Sequence, residues 1–327
     1  MAETKTNIEV SGALASSTST SVKNPDWMKN LPSKLHSVPL NNIAIPGSHD
    51  SFAEYLDTSG PVGPDASTAV QDIAKIFGKA AKDIICRWSI TQSLTIAQQL
   101  NAGVRYFDLR ASTKPGTEDI YFLHCLYSRK VEDVLYDIKT FLDEHPEEVV
   151  FLDFNHFYGM SEFNHKQFLS MLLEILGYKM CPFLDLDSVT LEMMWENQLQ
   201  AIIFYHDEIV KDYGQFWPGD KIPAPWADTM DINSLMGFLQ KNMEAGRPKD
   251  TFYVSQGVLT PNASYIIAHI LSNLKESLSE KVVSPFVTWI KEQHIGGLHG
   301  VNIFCMDFVE MGNYIPIIIS LNKADQE

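Results

Sequence analysis

The amino-acid sequence predicts a single-domain α/β barrel, and three observations favour this fold class. Apolar runs typical of buried parallel strands alternate with segments of helical periodicity along most of the chain. The length of 327 residues and the 45% hydrophobic content suit one large core better than two domains. Histidine, aspartate and arginine side chains follow several predicted strands, and the carboxyl ends of barrel strands are where barrel enzymes assemble their sites.

The predicted strands and helices alternate from residue 40 onward. Seven strands are expected, one fewer than a closed eightfold barrel has. The first ends at Pro46, and the others span 104–110, 120–124, 148–155, 199–205, 251–256 and 301–307. Helical spacing of apolar residues predicts helices over 70–81, 94–102, 131–145, 163–176, 235–243, 265–278 and 283–294, before a last apolar segment at 315–321. Ser93 is the expected N-cap of the helix that Gly103 ends.

Composition limits the classes of partner. Residues 1–24 are rich in serine, threonine and small residues, which predicts a disordered tail ahead of one domain over 25–327. The formal net charge of −16 argues against nucleic acid as the main partner and against general attraction to an anionic membrane. Any membrane contact is therefore expected to be peripheral and local.

Cysteine spacing and hydropathy bear on the compartment. Four cysteines lie far apart without a C-x-x-C pair, so neither a disulfide framework nor a zinc site is expected. No secretion signal and no membrane-spanning run is visible in the sequence. These features predict a protein of the cell interior, in the cytoplasm or the nucleus.

Six ionisable residues are predicted to meet at the carboxyl ends of the strands. They are His49, Asp50, Asp108, Arg110, His124 and Asp307. Asp108 and Arg110 are two residues apart on one strand, so their side chains project to the same face. Structural explanations exist for five of them: a turn cap for His49, a salt bridge for Asp108 and Arg110, a core histidine for His124, and a helix cap or loop bridge for Asp307. Their common position at one end of the barrel favours catalysis.

Two histidines and one arginine are what cleavage of a phosphodiester by an internal hydroxyl requires. One imidazole removes the hydroxyl proton, the other protonates the leaving alkoxide, and the guanidinium holds the phosphoryl oxygens. Such a reaction needs no metal to activate water. A carboxylate beside each histidine would fix its tautomer, and Asp307 and Asp50 are available for that purpose.

Together, these motifs resemble the X domain of phosphatidylinositol-specific phospholipase C. They are IPGSHDS at 45–51, GVRYFDLR at 103–110, His124, and MDF at 306–308. Within that superfamily the chain most resembles the animal proteins that consist of a single X domain, to which FLDFNHFYG at 151–159 and PAPW at 223–226 are also similar. The resemblance covers nearly all of the chain after the tail. It implies a distorted TIM barrel that cleaves phosphatidylinositol lipids into diacylglycerol and an inositol phosphate, cyclic or opened.

The resemblance assigns the proton-transfer roles one position at a time. His49 matches the general base that deprotonates the inositol 2-hydroxyl, and Asp307 matches the carboxylate that orients it. His124 matches the general acid, with Asp50 as its expected partner. One departure lies next to the acid, because Cys125 stands where the family usually has glycine.

The phosphate-binding position implies that no metal cofactor is used. Arg110 matches the phosphate-binding arginine of the bacterial enzymes, and Asp108 is expected to support it. The calcium-dependent animal enzymes have an aspartate ligand at the position of Arg110 and an asparagine ligand at that of Asp50. Calcium is therefore not expected.

Polar residues on later strands are candidate substrate contacts. They are Asp153, Asn155, Tyr205 and Gln256. The lysine that helps the bacterial enzymes to recognise substrate on their fourth strand has no counterpart near Asp153 and Asn155. Contacts to the inositol ring are therefore less defined by the resemblance than the catalytic residues are.

The loop 216–226 is the candidate for membrane contact. Trp217 and Trp226 lie in a proline-rich segment between a strand and a helix, and indoles favour the boundary between headgroups and acyl chains. The alternative is that these rings plug the rim of the barrel.

Three functions from different classes remain open. The first is a metal-independent phosphatidylinositol phosphodiesterase. The second is a metal-dependent glycerophosphodiesterase, which would need a Glu-x-Asp pair where this chain has Asp108-x-Arg110. The third is a catalytically weak protein that binds phosphoinositides or acts as a scaffold.

Overall fold

Strands and helices alternate along a curled sheet in the computed structural model, which describes residues 23–324. The nine strands found there are β1 (Ile45–Ser48), β2 (Tyr106–Thr113), β3 (Ile120–His124), β4 (Leu126–Lys130), β5 (Val150–Tyr158), β6 (Ala201–Tyr205), β7 (Trp217–Pro218), β8 (Val254–Gly257) and β9 (Ile303–Met306). The ten α-helices in the same part of the chain are α1 (Thr68–Phe77), α2 (Ala81–Ser89), α3 (Ile96–Ala102), α4 (Val131–Glu144), α5 (Glu162–Leu176), α6 (Leu191–Glu196), α7 (Ile232–Ala245), α8 (Ala263–Ala268), α9 (Glu280–Lys291) and α10 (Tyr314–Ala324). The predicted tail spans residues 1–24, and its residues 1–22 lie outside the described part of the chain. Within the described part, Asn24 N–H donates to the Asn101 carbonyl at 2.9 Å.

The sheet is a half-barrel of parallel strands. Seven strands lie in the order β7-β6-β5-β2-β1-β9-β8 and pair in parallel. Among the described strands, β7 and β8 stand at the two ends of this order and do not pair with each other. The prediction of a single α/β domain with a distorted barrel is confirmed.

Three strands differ from the prediction. The segment 120–124 is a strand, but β3 pairs in antiparallel fashion with β2 and β4 and forms a hairpin beside the barrel. The partner strand β4 was not predicted because its sequence LYSRK lacks a continuous apolar run. The strand β7 is only two residues long, which is too short to leave a pattern in the sequence.

The cap of α3 also differs from the prediction. Thr95, not Ser93, is the N-cap, because the Thr95 side chain accepts from Gln98 N–H while the Gln98 side chain accepts from Thr95 N–H. The predicted stop at Gly103 is confirmed, and its φ of 118° is in the left-handed region.

Two predicted helices are each divided in the structure. The pattern over 70–81 belongs to α1 and α2, since α1 ends at Phe77 where Gly78 takes a φ of 52°. The pattern over 265–278 is interrupted as well, because α8 ends at Ala268 and a π-helical turn covers Lys275–Ser279.

An aromatic layer fills the barrel below the carboxyl ends of the strands. Phe151, Phe204, Trp217 and Phe252 are buried, with ring centroids 5.2 to 5.9 Å apart. Side chains alternate across a strand, so Phe204 faces this layer while Tyr205 faces the outer helices. On β5 the polar Asp153 lies further toward the carboxyl end of the strand than Phe151 does.

Candidate active site

The two strands β1 and β9 bring His49 and Asp307 together. They pair in parallel with Ser48 opposite Met306, so the residues that follow each strand are neighbours. His49 Nδ1 lies 2.7 Å from Asp307 Oδ1, and Ser279 Oγ donates to Asp307 Oδ2 at 3.1 Å. The carboxylate accepts from Nδ1, which leaves His49 Nε2 directed at the other polar groups of the site.

The environment of His49 favours its protonated form. Burial alone lowers the pKa of this imidazole, but the negative charges of Asp50 and Asp307 outweigh that effect and raise the pKa to about 9. The ring is thus protonated at neutral pH in the free protein, and it becomes a base only after losing that proton.

Asp50 is the central group of the site. Its Oδ2 lies 3.5 Å from His49 Nε2 and 3.4 Å from His124 Nε2, and its Oδ1 lies 2.7 Å from Arg110 Nε. Burial raises the pKa of this carboxyl, but the three cations around it dominate and lower the pKa to about 2. Asp50 thus lies beside His124, its predicted partner, and the same carboxylate also forms an ion pair with Arg110.

Asp108 supports the site differently from the prediction. The charge partner in contact with Arg110 is Asp50, whereas Asp108 Oδ2 accepts from the Asp50 backbone N–H at 3.0 Å. Asp108 Oδ1 accepts from Asn155 Nδ2 at 2.6 Å. Burial lowers the pKa of Arg110, but Asp50 and then Asp108 outweigh burial and raise it. Asp108 therefore acts on the arginine through its charge and through Asp50.

His124 reaches the site from the β3–β4 hairpin. Its Nδ1 donates to the carbonyl of Ser89 at 2.8 Å, at the end of α2, and its Nε2 faces Asp50. The next residue is held from both sides: Cys125 N–H donates to Asp65 Oδ2 at 2.6 Å, and Gly63 N–H donates to the Cys125 carbonyl at 2.8 Å. The orientation of the second histidine thus depends on a helix end and a loop.

Three residues of the site have a left-handed backbone. Asp50 (φ 38°), Cys125 (φ 59°) and Phe308 (φ 49°) follow His49, His124 and Asp307, respectively. This conformation costs a residue with a side chain roughly 1 to 3 kcal/mol and persists only where the surroundings enforce it. It also gives a physical reason for the family's glycine after the second histidine, since glycine has no such cost.

The polar wall opposite the histidines carries candidate substrate contacts. Asp153 Oδ1 lies 2.7 Å from His206 Nε2, and Asp153 Oδ2 accepts from Tyr106 Oη at 2.7 Å. Burial lowers the pKa of His206, but the hydrogen bond to Asp153 outweighs it and raises the pKa. Asn155 and Gln256, the other candidate substrate contacts, line the same cavity, whose volume is about 670 Å³.

Tyr205 is not a substrate contact. Its side chain is fully buried outside the cavity, and its hydroxyl bonds His165 Nδ1 at 2.7 Å. The end of the strand was predicted correctly. The prediction of a substrate contact is wrong, because the Tyr205 side chain faces the outer helices. The next residue, His206, lines the cavity instead. It directly follows a predicted strand, so the expectation that site residues lie at the carboxyl ends of strands could have identified it.

The structure also places Asp65 and His156 in the cavity wall, where the sequence analysis had not placed them. Asp65 lies in an irregular loop, so no periodic pattern points to it. His156 follows Asn155 on β5. The register of β5 with β2 shifts at this point, so that His156 is the residue paired with Arg110.

The two tryptophans of the loop 216–226 have different positions. Trp217 is 1% exposed, belongs to the aromatic layer and donates from Nε1 to the Cys181 carbonyl at 3.1 Å. Its predicted place at a membrane surface is wrong, and the alternative of a ring that plugs the barrel is correct for this residue. Trp226 is 53% exposed and lines the mouth of the cavity. Among the described helices, none is both long and apolar enough to cross a bilayer.

One group of side chains has the spacing of a metal site. His49, Asp50 and Asp108 offer ligand atoms within 4.8 Å of one another. Arg110 Nε already lies 2.7 Å from Asp50 Oδ1, so a divalent cation here would lie beside a guanidinium. The group offers two carboxylates and one imidazole, whereas calcium prefers six to eight oxygen ligands. These residues do not fit a calcium ion.

Comparison with known proteins identifies the family. Residues 85–212 match the family model of the PI-PLC X domain. The chain is 44% identical to PI-PLC X domain-containing protein 3 of Homo sapiens over 308 residues, which are 94% of this chain and 96% of that protein. It is 45% identical to PI-PLC X domain-containing protein 2 of Mus musculus over 307 residues, covering 93% and 89% of the two chains. The chain belongs to the PI-PLC X domain family, as its motifs indicated.

Solved structures share the fold. The phosphatidylinositol-specific phospholipase C from Listeria monocytogenes superposes with a TM-score of 0.62 at 18% identity, over 92% of this chain and 99% of that one. A mutant of the enzyme of the same name from Staphylococcus aureus gives a TM-score of 0.64 at 17% identity, over 92% and 99%. At these identities the likeness establishes the fold of the phospholipase and not its activity.

Proposed function

We propose that this protein cleaves phosphatidylinositol-type lipids by acid–base catalysis without a metal. One observation carries the proposal: His49 Nε2 and His124 Nε2 lie 3.5 and 3.4 Å from the same oxygen of Asp50, and Arg110 lies at its other oxygen. A phosphodiester at this point has a base, an acid and a phosphate-binding cation within reach.

The reaction follows from the positions of these groups. His49 Nε2 takes the proton of the inositol 2-hydroxyl, and that oxygen attacks the phosphorus atom. The bond from phosphorus to the glycerol oxygen breaks, and protonated His124 gives its proton to the leaving oxygen. Arg110 binds the non-bridging oxygens while charge builds on them. The products are diacylglycerol and inositol 1,2-cyclic phosphate, with His49 protonated and His124 neutral.

Asp307 and Asp50 prepare the two histidines for opposite tasks. Asp307 keeps the proton of His49 on Nδ1, so that Nε2 is the atom that meets the hydroxyl. Asp50 stays ionised and lies 3.4 Å from His124 Nε2, the atom that gives its proton to the leaving oxygen. A water molecule that opens the cyclic phosphate would use the same pair with their roles exchanged.

The mouth of the cavity supports peripheral contact with a membrane. Trp226 lies at this mouth, Ile76 is 58% exposed one turn beyond the cavity residue Ile73, and Leu271 is 93% exposed between the cavity residues Ile266 and Leu274. Apolar side chains grouped at an opening are suited to insert at a lipid surface despite the net charge of −16. We place the protein inside the cell, at membrane surfaces that hold its substrate.

A double variant tests this contact. Ile76→Asn with Leu271→Asn is expected to lower binding to vesicles containing phosphatidylinositol and cleavage of lipid in those vesicles. Cleavage of a short-chain monomeric lipid should change less than twofold. An equal loss on both substrates would contradict a role at the membrane.

Assays with and without a chelator test the proposed activity. Purified protein is expected to release diacylglycerol from phosphatidylinositol equally well in EDTA and in calcium. Activity only with a divalent cation would favour the metal-dependent phosphodiesterase. Binding of the lipid without turnover under any condition would favour the phosphoinositide-binding or scaffold protein. The variant His49→Ala is the control for contaminating phospholipase.

A further inference from the structure

The cavity does not end at the catalytic residues. It continues between α1, α2 and α8 into a part with an apolar wall, which we call the apolar chamber. Its wall consists of Val70, Ile73, Ile85, Trp88, Ile266 and Leu274. An inositol phosphate headgroup is polar throughout and gains little from such a wall, so the chamber suits another part of a ligand.

The chamber lies on the side of the site where the leaving group departs. Trp88 directly precedes Ser89, whose carbonyl accepts from His124 Nδ1 at 2.8 Å. In the proposed mechanism His124 protonates the glycerol oxygen. The glycerol ester region and the start of the acyl chains are therefore the part of the lipid nearest to the chamber.

One polar group in the chamber wall has no partner. Trp88 is 5% exposed, and its Nε1 has no hydrogen-bond partner among the described residues. The edge-to-face contact of its ring with Tyr265, at a centroid distance of 5.9 Å, keeps the indole in place. A buried N–H without an acceptor is costly and seldom left unpaired, which points to a ligand that supplies an acceptor.

We infer that the apolar chamber binds the glycerol ester region and the first acyl carbons of the lipid, with Trp88 Nε1–H donating to an acyl ester carbonyl. The inference rests on the proposed function and adds a second recognition element to it. The protein then selects diacyl lipids by their ester linkage as well as by their headgroup.

Three monomeric substrates with one headgroup test the inference. They are dihexanoyl phosphatidylinositol below its micelle concentration, the dihexyl ether analogue without ester carbonyls, and glycerophosphoinositol without chains. We expect kcat/KM of the wild-type protein to fall from the ester to the ether and again to glycerophosphoinositol. Trp88→Phe should lower kcat/KM for the ester by about tenfold, the size of one hydrogen bond, and leave the ether within twofold. Ile73→Ala should weaken both lipids and spare glycerophosphoinositol.

Binding measurements separate this inference from the proposed activity. The affinity of His49→Ala protein for the ester and the ether is measured by calorimetry, with and without Trp88→Phe. Trp195→Phe is the matched control, because Trp195 Nε1 already donates to the Glu147 carbonyl at 2.8 Å, away from the cavity. Loss of the ester preference in Trp88→Phe, but not in Trp195→Phe, supports the inference even if the protein proves inactive. Equal binding of ester and ether by protein with Trp88 intact, or equal losses in both tryptophan variants, would overturn it.

Discussion

The two histidines of the site are held by different kinds of structure. His49 follows the barrel strand β1, and its partner Asp307 follows the neighbouring strand β9, so regular parallel pairing sets their distance. His124 lies on a hairpin outside the barrel, and its ring is fixed by the carbonyl of Ser89 at the end of a helix. In the proposed mechanism His49 is the base and His124 is the acid. The base side, His49 with Asp307, is thus part of the barrel, while the acid side around His124 is assembled from a hairpin, a helix end and a loop.

This difference indicates which part of the site can change in sequence without loss of the fold. A change at the base side disturbs a buried strand pair that also holds the sheet together. The acid side depends on contacts such as that of Asp65 with Cys125, which lie outside the sheet. In the proposed mechanism the leaving group meets the acid side, so substrate preference can change there at little cost to the barrel.

The largest effects should come from removing either histidine, and a change of leaving group should separate them. His49→Ala and His124→Ala are each expected to lower kcat on phosphatidylinositol by about 10²- to 10⁴-fold. On inositol 4-nitrophenyl phosphate, whose leaving group needs no proton, His124→Ala should recover most of the wild-type rate. His49→Ala should not recover, because the attacking hydroxyl still needs a base.

Rates of nitrophenol release and of diacylglycerol release check this difference. Circular dichroism of both variants verifies that the fold is kept. The same degree of recovery in both variants would contradict separate roles for the two sides.

Arg110 serves both sides, so its replacement should not distinguish the two substrates. Arg110→Lys keeps a charge beside Asp50 but loses the planar fork that binds two phosphoryl oxygens. We expect kcat/KM to fall by about 10²- to 10³-fold on both phosphatidylinositol and the nitrophenyl substrate. A lysine variant with near wild-type kcat/KM would show that the guanidinium is not the phosphate-binding group.

The pH dependence of kcat/KM isolates the base side. The pKa of His49 is raised to about 9, and only the neutral ring can accept a proton, so kcat/KM on inositol 4-nitrophenyl phosphate, whose leaving group does not need protonated His124, should rise with pH from neutrality to about 9. Asp307→Asn removes a negative charge that favours the protonated ring, which lowers this pKa and moves the rising limb to lower pH. The maximal rate should fall by at most about 10²-fold, since Nδ1 keeps an acceptor.

Profiles of the two proteins between pH 5 and about 10 are the measurement. His206 faces the cavity too, so His206→Gln serves as the control that should leave the limb in place. If the rising limb of the pH profile lay at the same pH in Asp307→Asn as in the wild-type protein, Asp307 would not be the charge partner of the base.

The smallest effects are expected from the loop that supports the acid side. Asp65→Ala releases the Cys125 N–H and should lower kcat on phosphatidylinositol about tenfold, the size of one hydrogen bond to a charged group. Cys125→Gly removes the strain of the left-handed backbone, so Asp65→Ala should cost less in that background.

A second aspartate in the same loop is the control. Asp57 bonds Ser59, Gly60 and Lys114 at the start of the loop, without contact to Cys125. Asp57→Ala should change kcat by less than twofold. If Asp57→Ala and Asp65→Ala lowered kcat equally, or if Cys125→Gly did not reduce the effect of Asp65→Ala, the effect would come from the folding of the whole loop and not from the hydrogen bond between Asp65 and Cys125.

The base side and the barrel could be predicted from the sequence, because both depend on local patterns. Buried parallel strands leave apolar runs, and His49 and Asp307 directly follow such runs. Arg110 and Asp108 share a strand, so their common face follows from the period of two residues. The detailed pairing does not follow from this period: Asp50 lies 2.7 Å from the arginine Nε, and Asp108 accepts from the Asp50 backbone N–H.

The acid side and the cavity wall could not be predicted in full, because they depend on contacts distant in sequence. The carbonyl of Ser89, at the end of α2, reaches His124, and the carboxylate of Asp65, in an irregular loop, reaches the backbone of Cys125. The faces of Tyr205 and Trp217 depend on which residue of each strand faces the barrel, and a buried strand with apolar residues on both faces gives no sign of that.

Phosphorus NMR of the products tests the central claim most directly. Purified protein is incubated with phosphatidylinositol in EDTA, and the spectrum is followed over time beside the His49→Ala protein. Attack by the inositol 2-hydroxyl predicts that a resonance of inositol 1,2-cyclic phosphate appears first and that it is absent with His49→Ala. Acyclic inositol 1-phosphate as the first product, or a spectrum that stays unchanged, would contradict catalysis by this pair of histidines.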